Sequence, residues 1–369
     1  MQWSQRKERL LHAARDLVPA MRARTEILDR DACFPSLDFD QLRDIGALSA
    51  VIPKRLGGLG LGIDRGGAIA LFDLLRFLGR GNLAVGRIFE GHVNAFKLIS
   101  LFGNEVQIER AAEDLTAGHL FAIWNAEAEN GVRFRDDLHN VVTGAKVFCS
   151  SAGHVTRALI TASAWAGMRM LLIPLELGER VIPSSISLHG MHATQTAGID
   201  FDGVNVSADA LIGGLDDYLG EPAFSAGAWR TSAVTLGGLD ALIDETRRQL
   251  VARNRHTDPH QLARMGQVMI ARESARLWIK RAACVEESDL PAADITGYIN
   301  LARIALESAT FDIIRMVQRT LGLAAFLQSN PVERLMRDLA TYLRQPAADE
   351  ALTEAAAWFI DHEFPEDDH

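Results

Sequence analysis

The sequence predicts a mainly helical α+β protein with a helical N-terminal unit, a small antiparallel β unit and an antiparallel helical bundle. Three observations carry this reading. Over residues 4–28 the apolar positions Leu10, Ala14, Leu17 and Met21 recur every three or four, and further helical stretches follow at 67–79, 84–101 and 105–117. From His119 the pattern changes to short apolar runs broken by Gly, Asp and Asn turns: Leu120–Trp124, Val141–Thr143, Ala158–Ala162, Met168–Ile173 and Ile199–Val206. After Pro222 long helical stripes return. Val268, Ala271, Ala275, Trp278, Ala282 and Val285 form one; Ile295, Ile299, Ala302, Leu306, Ala309, Ile313 and Val317 form the next. The expected boundaries are 1–118 for the N-terminal helices, 119–215 for the β unit and 216–345 for the bundle. A terminal helix with an acidic tail occupies 346–369.

At 369 residues the chain is long enough for two or three packed units. Its 48% hydrophobic and 23% charged composition is that of a folded protein. A net charge of −10 excludes nucleic acid as the main partner, because phosphate binding needs clustered Lys and Arg. No apolar run reaches the ~20 residues that cross a bilayer, and the N-terminus lacks a signal-peptide segment. Cys33, Cys149 and Cys284 stand far apart, so neither a disulfide framework nor a zinc site is expected; a reducing cytoplasm fits best. His189 and His192 have no third ligand at metal spacing. Gly-x-Ser-x-Gly is absent.

Within the N-terminal unit, Pro35 precedes a helix expected over Leu37–Leu48. Gly60, Gly62 and Gly66 formally match a dinucleotide-loop spacing. Pro53 stands where the leading strand belongs, so a glycine turn is expected instead. Gly103-Asn104 separates two helices, with Asn104 as an N-cap.

The chain is organised around Gly144-Ala145-Lys146-Val147-Phe148-Cys149-Ser150-Ser151-Ala152-Gly153-His154. Here a short strand runs into small residues that let a flat ligand approach the backbone. Phe148 offers an aromatic plane, and Ser150 and Ser151 offer short donors and acceptors.

The order of units, together with local wording, resembles the acyl-CoA dehydrogenase superfamily of flavoproteins. The phrases are Phe34-Pro35 through Leu48, Pro53 to Leu61, Phe102-Gly103-Asn104-Glu105, Gly190-Met191-His192-Ala193-Thr194, Phe201-Asp202-Gly203-Val204 and Pro331-Val332-Glu333-Arg334-Leu335-Met336-Arg337-Asp338. The resemblance implies FAD as cofactor, with FMN as the alternative. It assigns Phe148, Cys149 and Ser150 to the wall against the flavin ring, and Ile123 and Trp124 to the other flavin-facing strand. It also implies a homodimer or homotetramer, with Gln318, Arg319 and Gly322 near the FAD pyrophosphate of a neighbouring subunit and one of Arg253, Arg255 and His256 on the adenine side of FAD. The substrate is then a small molecule, an acyl thioester being the first expectation. Electron partners would be an electron-transfer flavoprotein or a flavin reductase.

Several positions depart from the family pattern. Trp124-Asn125-Ala126-Glu127 replaces the usual Thr-Glu-Pro phrase, and the paired-glycine loop has kept only Gly322. The glutamate that takes the Cα proton of a thioester corresponds to Pro346, and the alternative base position falls at Trp229-Arg230-Thr231. Glu127 and Arg230 are therefore the candidate catalytic groups for dehydrogenation. His92 is the candidate donor for a relative that uses reduced flavin and O2 as a monooxygenase, with Phe96 beside it in the substrate pocket. A fold that has lost its cofactor and serves as a scaffold is the third expectation.

Overall fold

The computed structural model describes residues 2–135, 140–183 and 186–365; the last four residues of the expected acidic tail lie outside them. Helices α1 (Gln2–Arg30), α2 (Ser36–Asp44), α3 (Ala68–Gly81), α4 (Leu83–Phe102) and α5 (Glu105–Thr116) build the N-terminal unit. α2 stops before Leu48 because Gly46 turns the chain at φ 75°, and a separate 3-10 turn covers Leu48–Val51. The glycine segment is a turn without a leading strand. Gly57, Gly60 and Gly62 take φ values of 88°, 65° and 69°, conformations that side chains resist. Asn104 caps α5 in a reciprocal box with Gln107.

The central unit has two sheets. Its strands are β1 (Phe121–Trp124), β2 (Arg133–Phe134), β3 (Val141–Thr143), β4 (Ala145–Cys149), β5 (Arg157–Ala164), β6 (Gly167–Pro174), β7 (Val181–Ile182), β8 (Ala197–Asp200), β9 (Val204–Asn205) and β10 (Leu211–Ile212). The larger sheet runs β10–β6–β5–β2–β3–β9 with β1 also on β5, and the smaller runs β4–β8–β7. Most pairings are antiparallel, but β1 and β2 run parallel to β5. That arrangement buries Ala158 through Ala162 continuously, as a strand covered on both faces requires. The run Ile199–Val206 divides at Phe201–Gly203, so β8 and β9 serve different sheets.

Helices α6 (Ala223–Ala252), α7 (Pro259–Glu286), α8 (Ala292–Leu321), α9 (Pro331–Tyr342) and α10 (Ala348–Asp361) form the C-terminal part. Asp258 starts α7 by accepting from His260 N and Gln261 N, with Pro259 at the first helical position. The α7 stripe faces inward: Val268, Ala275, Ala282 and Val285 are buried, while Ala271 and Trp278 pack partly exposed at its edge.

Close backbone approach joins the helical units. A Cβ on Gly79 of α3 would lie 2.0 Å from Val234 O, and one on Gly237 of α6 would lie 2.1 Å from Arg76 O. Only glycine allows α3 and α6 to touch at these points. The Glu287 carboxylate, just beyond α7, accepts from the backbone of Gly66, Gly67 and Ala68 at 2.9, 3.1 and 2.8 Å, neutralising the N-terminus of α3. On α9, Arg337 binds Asp29 of α1 at 2.6 Å and His189 O at 2.9 Å. Its neighbour Asp338 accepts from Met191 N at 2.6 Å.

Candidate active site

A cleft of about 590 Å³ opens where α4, the exit of β1, α6 and the α9–α10 turn converge. That volume suits a small organic ligand. α4 is apolar along most of its length, yet Arg87, Glu90 and Asn94 share one face of it and all line the cleft. Glu90 is 2% exposed and would be costly there without partners. It has three: Arg87 donates at 2.6 Å, Asn94 Nδ2 at 2.6 Å and Thr231 of α6 at 2.9 Å. Tyr342, the last residue of α9, closes the floor. Its hydroxyl lies against Glu90 and Thr231; burial first, and then the Glu90 charge, push its pKa well above the usual phenol value.

The β unit reaches the cleft through Asn125, at the exit of β1. β4 bulges between Lys146 and Cys149, which places Phe148 at φ 53° and leaves it 54% exposed. A left-handed phenylalanine is strained, so the conformation is imposed by its neighbours. Those neighbours are fixed. Cys149 is buried, which raises its thiol pKa, and Ser150 O accepts the indole N–H of buried Trp124 at 3.1 Å. Ser151, also left-handed at φ 60°, donates its backbone N–H to Thr194 O at 2.7 Å while its buried hydroxyl has no partner.

Lys146 organises the same unit from inside. Its ammonium is buried, which lowers its pKa, and it meets Glu127, Thr161 Oγ1 at 2.8 Å and Asn125 O at 3.2 Å. Thr161 in turn donates to Asn125 Oδ1 at 2.6 Å. The Asn125 side chain is thereby held at the edge of the cleft.

The residues singled out from the sequence fall in three places. Trp124 and Ser150 meet through the indole N–H, while Ile123 precedes Trp124 on β1 and Phe148 and Cys149 precede Ser150 on β4. Glu127 is tied to Lys146 and to Val132 N at 2.9 Å within the β unit, which gives it a structural partner on each side. Arg230 is 2% exposed, pairs with Glu286, stacks on Trp229 at 5.1 Å and reaches Asn94 Oδ1 at 3.2 Å. It stands behind the cleft, not in it. His92 is wholly buried: Nδ1 accepts from Phe121 N at 3.1 Å and Nε2 bonds Leu48 O at 3.0 Å. Burial holds its pKa down to about 4, so the ring is a neutral link between the Leu48 turn and β1. Phe96 is likewise buried core.

Arg253, Arg255, Arg319 and Gly322 are exposed, and Gln318 is partly so, at the other end of the bundle. Arg253 follows Thr235 of the cleft by 18 residues, about 27 Å along a helix. Glu90, Arg87, Asn94, Thr231 and Tyr342 were not found from the sequence. The available signal was a charged, helically spaced set inside an otherwise apolar helix. Among the described residues no group of His, Cys, Asp and Glu could hold a metal ion, and no helix is long and apolar enough to cross a membrane.

Helices, a small two-sheet unit and a helical bundle, with a cleft between α4, α6 and the α9–α10 turn, define an acyl-CoA dehydrogenase fold. Residues 4–119 match the acyl-CoA dehydrogenase N-terminal domain. A protein named probable FMNH2-dependent monooxygenase SfnC, from Pseudomonas putida, is 24% identical over 365 residues, spanning 90% of this chain and 89% of the relative. Dibenzothiophene monooxygenase (TdsC) from Paenibacillus sp. A11-2 superposes with a TM-score of 0.81 at 20% identity, over 97% of this chain and 98% of the other. Butyryl-CoA dehydrogenase from Megasphaera elsdenii gives 0.82 at 18% identity, over 96% and 98%. The chain thus carries an acyl-CoA dehydrogenase N-terminal domain over residues 4–119 and has the fold shared by these dehydrogenases and monooxygenases.

Proposed function

We propose that the chain is a flavin-dependent oxidoreductase that works as a monooxygenase, taking reduced flavin and O2 to a small molecule in the α4–α6 cleft. One observation carries this choice. The α9–α10 turn presents Pro346 to the cleft at the position where the family resemblance puts the carboxylate of thioester dehydrogenation. The order of the two chemistries expected from the sequence is thus reversed.

The wall fits a flavin by its donor set. Phe148 offers an uncovered ring, Ser151 an unpartnered buried hydroxyl, and Asn125 a side chain fixed by Thr161. Phe148, Trp124 and Ser150 would hold FAD or FMN there, and bound flavin supplies electron transfer and, once reduced, activation of O2. Around it the chain's own groups bind, orient and exclude water: Lys146 holds Asn125, and Arg87, Asn94 and Thr231 keep Glu90 in place. Arg253 or Arg255, Gln318, Arg319 and Gly322 lie too far along their helices to serve the same cleft, which supports a homodimer or homotetramer in which they serve a neighbour. A flavin reductase as electron partner and a cytoplasmic location complete the reading.

A second reading, acyl-thioester oxidation, is favoured by one feature: Glu90 is a buried carboxylate in the cleft. Two experiments separate the cases. The visible spectrum of the purified protein after incubation with FAD or FMN comes first, and a protein that takes up neither overturns both. Anaerobic addition of saturated acyl-CoAs comes second. Bleaching of the flavin establishes dehydrogenation and refutes the monooxygenase; no bleaching, with slower reoxidation by O2 of protein-bound than of free reduced flavin, supports it.

A further inference from the structure

The buried charges of the cleft are answered within the chain. Glu90 is paired with Arg87 and Glu307 with Arg344, while Arg303 donates to the Pro346 carbonyl at 2.6 Å and has Glu307 as its charged neighbour. Glu221, Glu350 and Glu354 also line the cleft but are exposed, so water screens them. One group is left over. Asn300 of α8 is 6% exposed and lines the cleft, and its side-chain amide makes no hydrogen bond among the described residues. Asn94 of α4, by contrast, spends its amide on Glu90 and Arg230. Structure alone gives no reason for an asparagine at position 300: it is a weak helix former, and a buried amide without partners is costly. Leucine, with as many side-chain heavy atoms, carries neither cost. A second unmet group lies on the same lining. Tyr218, in the turn before α6, sets its ring edge-on to Phe224 at 5.5 Å, and its hydroxyl has no partner among the described residues. Burial pushes its pKa up to about 12, which keeps the hydroxyl neutral.

A side-chain amide presents a donor and an acceptor in one plane. A carboxylate facing it sets an oxygen against Oδ1, and an ammonium gives Nδ2 nothing to donate to. A carboxamide answers both ends with two parallel hydrogen bonds. Resting on the reading of this cleft as the substrate site, we infer that Asn300 determines specificity there and that the substrate carries a carboxamide, paired with Asn300 through two N–H···O=C bonds. The selectivity comes from what the buried amide loses with other groups. A ligand lacking the donor or the acceptor leaves half of Asn300 unpaired at a buried position. Tyr218 offers its hydroxyl to a second polar atom of the same molecule.

Four probes of similar shape test the assignment by ligand-observed NMR titration of the full chain: benzamide, acetophenone, benzoate and benzylamine. Benzamide binds tightest, about two- to twelvefold tighter than acetophenone, which offers an acceptor and no donor. Asn300→Leu removes that preference and leaves acetophenone binding unchanged. Its thermal midpoint equals or exceeds the parent's, because no bond within the fold is lost. Asn300→Asp keeps the shape, loses the donor and places benzylamine above benzamide. Equal binding of benzamide and acetophenone, a preference of the parent for either charged probe, or binding of none of the four overturns the inference. So does a benzamide preference that survives Asn300→Leu, or a lower midpoint in that variant, which marks a structural amide. Flavin uptake without a benzamide preference refutes this inference alone. A benzamide preference in a protein that takes up neither FAD nor FMN refutes the proposed function alone.

Discussion

Phe148 is the residue at which stability and cofactor retention separate. Replacing a core phenylalanine by alanine costs about 3–5 kcal/mol. Phe148 is 54% exposed and sits on a bulge, so Phe148→Ala forfeits only a fraction of that, roughly 1 kcal/mol. Phe148→Gly goes further, because glycine relieves a left-handed backbone worth about 1–3 kcal/mol while adding about 0.4–1 kcal/mol of unfolded-state entropy. The glycine variant therefore lies between about 1 kcal/mol less and about 2 kcal/mol more stable than the parent. Flavin binding responds differently: losing one aromatic stacking partner worth about 0.5–1.5 kcal/mol weakens it roughly two- to twelvefold in both variants. Urea unfolding of the flavin-free protein and a fluorescence titration with FAD and FMN read the two quantities. A stability loss of core size, or flavin affinity that does not move, refutes the reasoning and puts the ring wall elsewhere.

Other predictions concern the buried polar groups. Glu90→Leu leaves Arg87 without its partner beside a desolvated cleft and lowers stability by about 3 kcal/mol, measured by chemical denaturation. Lys146→Met uncouples Asn125 from β4 and reduces flavin affinity more than Glu127→Gln does, as read by the same titration. His92 and Asp338 give opposing pH dependences in one window. Burial lowers the His92 pKa to about 4, so its neutral form is favoured on folding, and stability is lost as pH falls from the ordinary histidine range toward 4. Burial raises the Asp338 pKa to about 6, so its contribution is full below the ordinary carboxylate range and is lost as pH rises through 6. Each amounts to about 3 kcal/mol. Asp338→Asn therefore exposes a steeper acid limb between pH 6.5 and 4 in thermal unfolding, set by His92. An unchanged profile refutes this assignment.

Much of the fold is written in local periodicity. The stripes of α7 and α8 and the cap at Asn104 are short-range features, and they form where the spacing puts them. Pairing direction is not short-range: the alternation in β1 is the same whether Arg157–Ala164 lies parallel or antiparallel beside it. The site divides in the same way. Phe148 belongs to a segment whose composition already suggested a flat ligand, whereas Trp124 was reached only through the family resemblance. Glu90 gave its signal only as one charge in an apolar helix, and its neighbour His92 drew attention because imidazole chemistry is conspicuous in a sequence while burial is not. Tyr342 reaches Glu90 across more than 250 residues of chain, which spacing cannot encode.

The Glu287 cap on α3 has a consequence for the order of events on the ribosome. The three amides it accepts from belong to residues 66–68, so they are made some 220 residues before their carboxylate exists. At about 5–20 residues per second, that is an interval of roughly 10–45 s during which nascent α3 carries unmet donors and an uncovered α6-facing glycine seam. Arg337 imposes a longer delay on Asp29, 308 residues earlier in the chain. The first helices of this protein are among the last to become native.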